Sequence, residues 1–168
     1  AKDPNRYILI LSDRISQLEW IEKALNEWPT KFVHGYYIGG MKQSKLDDNA
    51  EKCQILLATY QMASEGFSIK RLNTVILATS QKDVNQSVGR AMRKLLENGD
   101  LRPLIIDFAD NISSFKNHAR IRKTFYKQCK YVIEDYSIDD QIISSNDNET
   151  TLEDCLKTAP VDIIVETD

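Results

Sequence analysis

The chain is 168 residues long, 42% apolar and 28% charged, with a net charge of −3. That length supports one ordinary domain with a full core, and the composition excludes a disordered, fibrous or disulfide-stapled chain. No run approaches the roughly 18 apolar residues of a membrane helix. Ala1-Lys2-Asp3-Pro4 has neither an initiating Met nor an apolar stretch, which reads as a piece of a longer chain rather than a secretory leader. Cys53, Cys129 and Cys155 are odd in number and far apart, so an intracellular, reducing compartment such as cytoplasm or nucleus is expected. His34 and His118 are too distant in sequence for a local metal site, and no metal site is expected on this chain. Residues 137–168 carry nine acidic groups against Lys157, a net −8, which leaves +5 on residues 1–136. A basic body with an acidic tail is compatible with a nucleic-acid partner but does not establish one.

In chain order, Arg6 to Leu11 is a short apolar, β-branched run suited to a buried parallel strand. Ser12 or Asp13 can cap the helix that follows. There Ile15, Leu18, Ile21, Leu25 and Trp28 recur every three or four residues, and Pro29 stops the pattern. Lys31 to Ile38 predicts a second strand, broken by Gly39-Gly40. Residues 41–52 are polar and read as a short helix or loop. Cys53 to Thr59 is a third strand, followed by Tyr60 to Ile69 with a turn at Ser64-Glu65-Gly66. Asn73 to Thr79 is a fourth strand. A helix then carries the octapeptide Gln86-Ser87-Val88-Gly89-Arg90-Ala91-Met92-Arg93 to about Leu96, closed by Asn98-Gly99-Asp100. Leu104 to Phe108 is a fifth strand. Ser113 or Ser114 is placed to cap a long helix reaching about Cys129, with Phe115, Ala119, Arg122 and Tyr126 on one stripe. Tyr131 to Ile133 is a short strand. Within the acidic tail, Ser144 to Glu149 reads as a flexible link, Leu152 to Leu156 as a helical turn and Val161 to Val165 as strand-like.

Alternating strands and helices predict an α/β domain with a mainly parallel sheet and helices on both faces. In such sheets ligands gather at the C-terminal strand ends. Ser12-Asp13, Gly39-Gly40, Thr59 and Thr79-Ser80 all fall at strand ends, so the polar groups collect on one edge. Gln86, Arg90 and Arg93 at i, i+4 and i+7 share one helix face. Two guanidiniums and an amide at such an edge suit phosphate chemistry. Gly89 leaves room for a group to approach the backbone. The alternative is a solvated cationic helix face.

Gln86-x-x-Gly89-Arg90-x-x-Arg93 resembles motif six of the superfamily two helicases and translocases. Leu57-Ala58-Thr59 followed by Glu65-Gly66-Phe67-Ser68-Ile69 resembles motif five. Ile8 to Leu11 with Ser12-Asp13-Arg14 resembles motif four. Gly39-Gly40 sits where the family carries a glycine. Leu104 to Phe108, Asp110 and the Arg120/Arg122 to Tyr126 helix resemble the strand and helix that close the lobe. The order is the family's and the resemblance covers about residues 5–136, with 137–168 as an acidic, partly flexible extension. It is nearest in flavour to phage recombination helicases and to transcript-release helicases of large DNA viruses. A viral chain would work at the viral replication site. One departure is Ser68, where many relatives carry Asp, which puts an acidic ribose or coupling contact there in doubt.

The resemblance implies a RecA-like lobe, one of two that hold ATP and Mg2+ between them. No G-x-x-x-x-G-K-[ST] loop is present, since Gly39-Gly40-Met41-Lys42 lacks the spacing, and Val132-Ile133-Glu134-Asp135 reverses the order of an apolar strand running into Asp-Glu. The chain is therefore expected to be the second lobe, with ATP and Mg2+ held mainly by the first. Arg90 and Arg93 would be arginine fingers, and Gln86 would orient the attacking water or hold the γ-phosphate. Glu65, Gly66, Ser68 and Gly89 would lie on the ATP side or couple it. Thr59, Ser12, Arg14, Gly39 and Thr79 would contact a DNA or RNA backbone. The expected partners are nucleic acid, the N-terminal RecA-like lobe of the same polypeptide and, for the acidic tail, a protein. For Thr59 the alternative is a helix cap. For Lys116, Arg120, Lys123, Lys127 and Lys130 it is a solvated face. For the whole chain the alternatives are a double-strand translocase or a non-catalytic interaction module with an acidic docking tail.

Overall fold

The computed structural model describes residues 5–65, 69–91, 101–110, 112–137 and 162–167, with Arg90, Ala91, Ser137 and 162–167 described by their backbone. The elements run β1 (Ile8–Ser12), α1 (Ile15–Glu27), β2 (His34–Tyr37), α2 (Gln43–Lys52), β3 (Ile55–Thr59), α3 (Tyr60–Ser64), β4 (Thr74–Leu77), α4 (Asn85–Ala91), β5 (Leu104–Ala109), α5 (Ser113–Gln128), β6 (Val132–Ser137) and β7 (Asp162–Thr167). Seven strands form one sheet in the order β2-β3-β1-β4-β5-β7-β6, and each neighbouring pair is parallel. The strand-like segment in the acidic tail lies in this sheet as β7, between β5 and β6.

Strand alternation divides the apolar residues into two layers. Ile8, Ile10, Ile55, Leu57 and Ile76 pack against Leu18, Ile21 and Leu25 of α1. Leu9, Leu11, Leu56, Ala58, Val75, Leu77 and Ile105 pack against Tyr60, Ala63, Val84, Val88 and Tyr126 on the opposite face. Near-continuous apolar runs in β1, β3 and β4 are what burial on both faces requires. The expected α/β architecture with helices on both faces of a mainly parallel sheet is the one observed.

Local expectations fail at the helix ends. The N-cap residue of α1 is Arg14, not Ser12 or Asp13, and α5 starts after Ile112, so Ser113 is already helical. The Ser12 hydroxyl instead accepts the Arg14 amide at 3.0 Å and lies 2.9 Å from Gln17 Oε1, so it folds the turn ahead of the helix. Trp28 does not close the apolar stripe. It is the C-cap of α1 and 58% exposed, and Trp20 is 70% exposed, because the stripe that meets the sheet ends at Leu25. The fourth helix runs through Ala91, and its expected continuation to Leu96 and the closing turn at Asn98-Gly99-Asp100 lie outside the described residues. α5 ends in a Schellman-type cap: the Tyr131 amide bonds the Tyr126 carbonyl and the Lys130 amide bonds the Lys127 carbonyl, both at 3.0 Å. Among the described residues no helix is long and apolar enough to cross a membrane.

Candidate functional site

Three loops at the C-terminal ends of β1, β3 and β4 are knit together. Parallel register sets Ser12 beside Thr59. The Asp13 amide donates to Thr79 Oγ1 at 3.0 Å, joining the loop after β1 to the end of β4. Gln17 Nε2 donates to the Ala78 carbonyl at 2.9 Å, and Tyr60 Oη to the Thr79 carbonyl at 2.8 Å. Ser12, Arg14, Thr59 and Thr79 are thus brought to one edge, as the strand-end reading expects. Arg14 and Asp13 are exposed there, and Thr59 is half-buried.

Thr59 is the N-cap residue of α3 by position, but its hydroxyl makes no capping hydrogen bond. Position and hydroxyl role are thereby separated, and the side-chain oxygen is left able to meet a ligand. Gly39 sits with Gly40 in the exposed turn after β2, on the same side of the sheet. Gly40 has φ +82°, a left-handed conformation that glycine adopts without strain.

α4 leaves the end of β4 through residues 78–84. Asp83 Oδ1 accepts the Asn85 amide at 3.0 Å, which starts the helix. Val84, Ser87 and Val88 are buried and dock α4 on the core, so Gln86 faces outward and is exposed. Arg90, four residues on, falls one turn further along the same side of the helix. A Cβ built on Gly89 meets nothing within 4 Å, so no contact among the described residues demands glycine there. Glu65 is exposed at the end of α3, and Gln61 Nε2 donates to its Oε1 at 3.0 Å. Gly66, Ser68 and Arg93 lie outside the described residues.

Behind this edge is a buried polar cluster that the sequence reading left unassigned. Arg122 and Asp107 have side chains 1% and 2% exposed and pair in a fork: Nε to Oδ2 at 2.8 Å and Nη2 to Oδ1 at 2.7 Å. Tyr126 Oη donates to the same Asp107 Oδ2 at 2.9 Å. Burial lowers the Arg122 pKa, but the hydrogen bond and charge of Asp107 outweigh it and keep the guanidinium cationic. The phenols of Tyr60 and Tyr126 are both pushed up, first by burial. The available signal was Arg122 standing four residues before Tyr126 on an otherwise core-facing stripe.

A parallel sheet with this layering and a strand-end polar edge is a RecA-like lobe. A solved structure, the C-terminal part of the Fun30 ATPase domain, has the same fold: TM-score 0.59 over 71% of this chain and 40% of that one, at 14% identity. The profile of the helicase conserved C-terminal domain matches residues 1–94, and the chain belongs to that family. It is 40% identical over 83% of its length to the "Putative ATP-dependent RNA helicase" of Acanthamoeba polyphaga mimivirus, covering 27% of that protein. It is 28% identical over 81% of its length to a "Putative helicase" of Invertebrate iridescent virus 6, covering 33% of it. It is also 28% identical over 73% of its length to a "Putative ATP-dependent RNA helicase" of African swine fever virus, covering 25% of it. The chain thus spans a quarter to a third of the length of these relatives.

Proposed function

We propose that this chain is the second RecA-like lobe of an ATP-dependent nucleic-acid helicase and completes an ATP site whose other half lies on a first lobe of the same polypeptide. The observation that carries the reading is α4 in a member of the helicase C-terminal family: it leaves the end of β4 with Gln86 exposed and Arg90 one turn along the same side. Arg90 and Arg93 are assigned as arginine fingers. Guanidinium forks match the oxygens of a transferring phosphoryl group, and a finger is worth on the order of 10³ to 10⁵ in rate. Gln86 makes no side-chain hydrogen bond to another described residue and is free to orient water or hold the γ-phosphate. Mg2+, held with ATP mainly by the first lobe, neutralises charge on the β- and γ-phosphates when bound. Glu65, Gly66, Ser68 and Gly89 are assigned to the nucleotide side, and Gly89 would let a phosphate or a strand approach the backbone.

Arg14, Gly39, Thr59 and Thr79 are assigned to the nucleic-acid backbone, which amides, hydroxyls and arginine recognise without reading sequence. Ser12, fully buried with its hydroxyl held by Arg14 and Gln17, supports the turn that presents Arg14 rather than meeting the strand itself. The names of two viral relatives make RNA the strand to test first. The test uses full-length protein. Arg90→Ala and Arg93→Ala should each abolish ATP hydrolysis while nucleotide binding persists, and wild-type turnover in either removes that finger. Thr59→Ala should reduce the stimulation of ATPase by added RNA without changing the basal rate, and full stimulation would refute the backbone contact.

A further inference from the structure

The guanidinium of Arg122 has five N–H donors and meets five oxygens. Two belong to Asp107. Nη2 also donates to the Phe108 carbonyl at 3.2 Å. Nη1 donates to the Gln81 carbonyl at 2.7 Å and to Ser80 Oγ at 3.4 Å. His118, one turn before Arg122 on α5, brings Nδ1 within 3.5 Å of the same Ser80 Oγ. His118, Arg122 and Tyr126 stand four residues apart, so one face of α5 grips the loop between β4 and α4 while it is anchored to β5 through Asp107. Gln81 is only five residues ahead of Gln86. The other end of this loop is held by Gln17 at Ala78 and by Tyr60 and Asp13 at Thr79.

An apolar trio of similar volume would stabilise a core as well as a buried ion pair does, because desolvation consumes most of the attraction. Stability alone therefore does not explain why a saturated guanidinium sits here. What the pair adds is direction: a planar fork fixed by five acceptors defines where Ser80 and Gln81 lie.

We infer that Arg122, held by Asp107 and Tyr126, is a positioning residue that fixes the start of α4 and hence where Gln86 and the backbone of Arg90 stand beside the ATP site. This rests on the finger reading and specifies what keeps those groups in place. A displacement of about 1 Å at such a group can cost on the order of a hundredfold in rate.

The experiment uses full-length protein carrying Arg122→Met, Asp107→Leu and Tyr126→Phe together, which replaces the cluster by apolar groups and strands no charge. The expected result is a cooperatively folded variant, its thermal midpoint lowered because the Gln81 and Phe108 carbonyls lose their donor. At temperatures where it is fully folded, kcat for ATP should be reduced at least tenfold, with ATP-analogue and RNA dissociation constants within threefold of wild type. Wild-type kcat in that folded variant would overturn the inference. Arg122→Lys, which keeps the charge but loses the fork, should show the same split between kcat and binding. Hydrogen exchange on unaltered protein provides a test that needs no variant: the buried Val88 amide, which donates to the Val84 carbonyl at 2.8 Å, should exchange as slowly as those of β4, and rapid exchange there would show that the start of α4 is not fixed. The finger reading fails separately, through wild-type turnover in Arg90→Ala.

Discussion

The phenol of Tyr60 donates a 2.8 Å hydrogen bond to the carbonyl oxygen of Thr79. This joins the first residue of α3 to the end of β4, so two strand-end segments assigned to the nucleic-acid backbone share one rigid link. Tyr60 is buried, and its phenol is pushed up by burial first. Tyr60→Phe keeps the ring and leaves the Thr79 carbonyl short of its donor. It should cost about 1–2 kcal/mol in urea unfolding. A loss below about 0.3 kcal/mol would mean that the bond does not hold the two segments.

Gly35 faces the helix side of the edge strand β2. A Cβ there would lie 2.9 Å from Cys53 Sγ and 3.0 Å from Asn49 Cγ and Nδ2. Asn49 cannot yield freely, because Nδ2 donates to the Tyr36 carbonyl at 2.7 Å. Gly35→Ala is expected to destabilise the lobe by about 1–3 kcal/mol through overpacking. Equilibrium denaturation checks it, and an unchanged midpoint would show that α2 moves away without cost.

Lys130 has φ +58° at the position just past α5 where glycine is preferred. The Schellman-type hydrogen bonds around it use backbone groups and persist with any residue there. Lys130→Gly should therefore stabilise the lobe by about 0.5–1 kcal/mol as the left-handed strain is removed. A lowered thermal midpoint would show that the lysine side chain contributes more than its backbone costs.

Alkaline pH should weaken the fold. Burial, then the charge and hydrogen bond of Asp107, raise the Tyr126 pKa above the ordinary 10.0, with Arg122 pulling the other way. Tyr36 is pushed up to about 12, by burial and then by its bond to Glu22. Below pH 10 these phenols are protonated in both states and their contribution is complete. Above pH 10 the unfolded chain ionises while the folded one does not, so stability falls as pH rises. Thermal midpoints measured from pH 9 to 11.5 should fall, and less steeply in Tyr126→Phe. Equal slopes would deny Tyr126 a part in the loss.

The strands were legible because β1, β3, β4 and β5 are apolar runs whose composition announces burial on both faces. Their strand-end residues were legible for the same reason: parallel sheets put such residues on one edge. Other features depend on partners distant in sequence. Ser12 looked like a cap by residue type, but Gln17 and the Arg14 amide engage its hydroxyl first. Arg122 stands on the same helical stripe as Phe115, Ala119 and Tyr126, but its partner Asp107, fifteen residues earlier, is set opposite it only by the packing of α5 on β5. Trp28 fitted the helical period, yet the sheet ends before it. The place of β7 between β5 and β6 has no local signature at all, since pairing order is a property of the whole chain.

That placement carries a consequence for how the lobe is made. β6 is bound to the sheet through β7, although residues 132–137 are synthesised well before residues 162–167. On a ribosome the far margin of the sheet must wait, with β5 presenting an open margin, until the later segment emerges and slots in. The order of assembly runs against the order of synthesis at this margin, and during that interval a nascent chain is most exposed to pairing with the wrong strand.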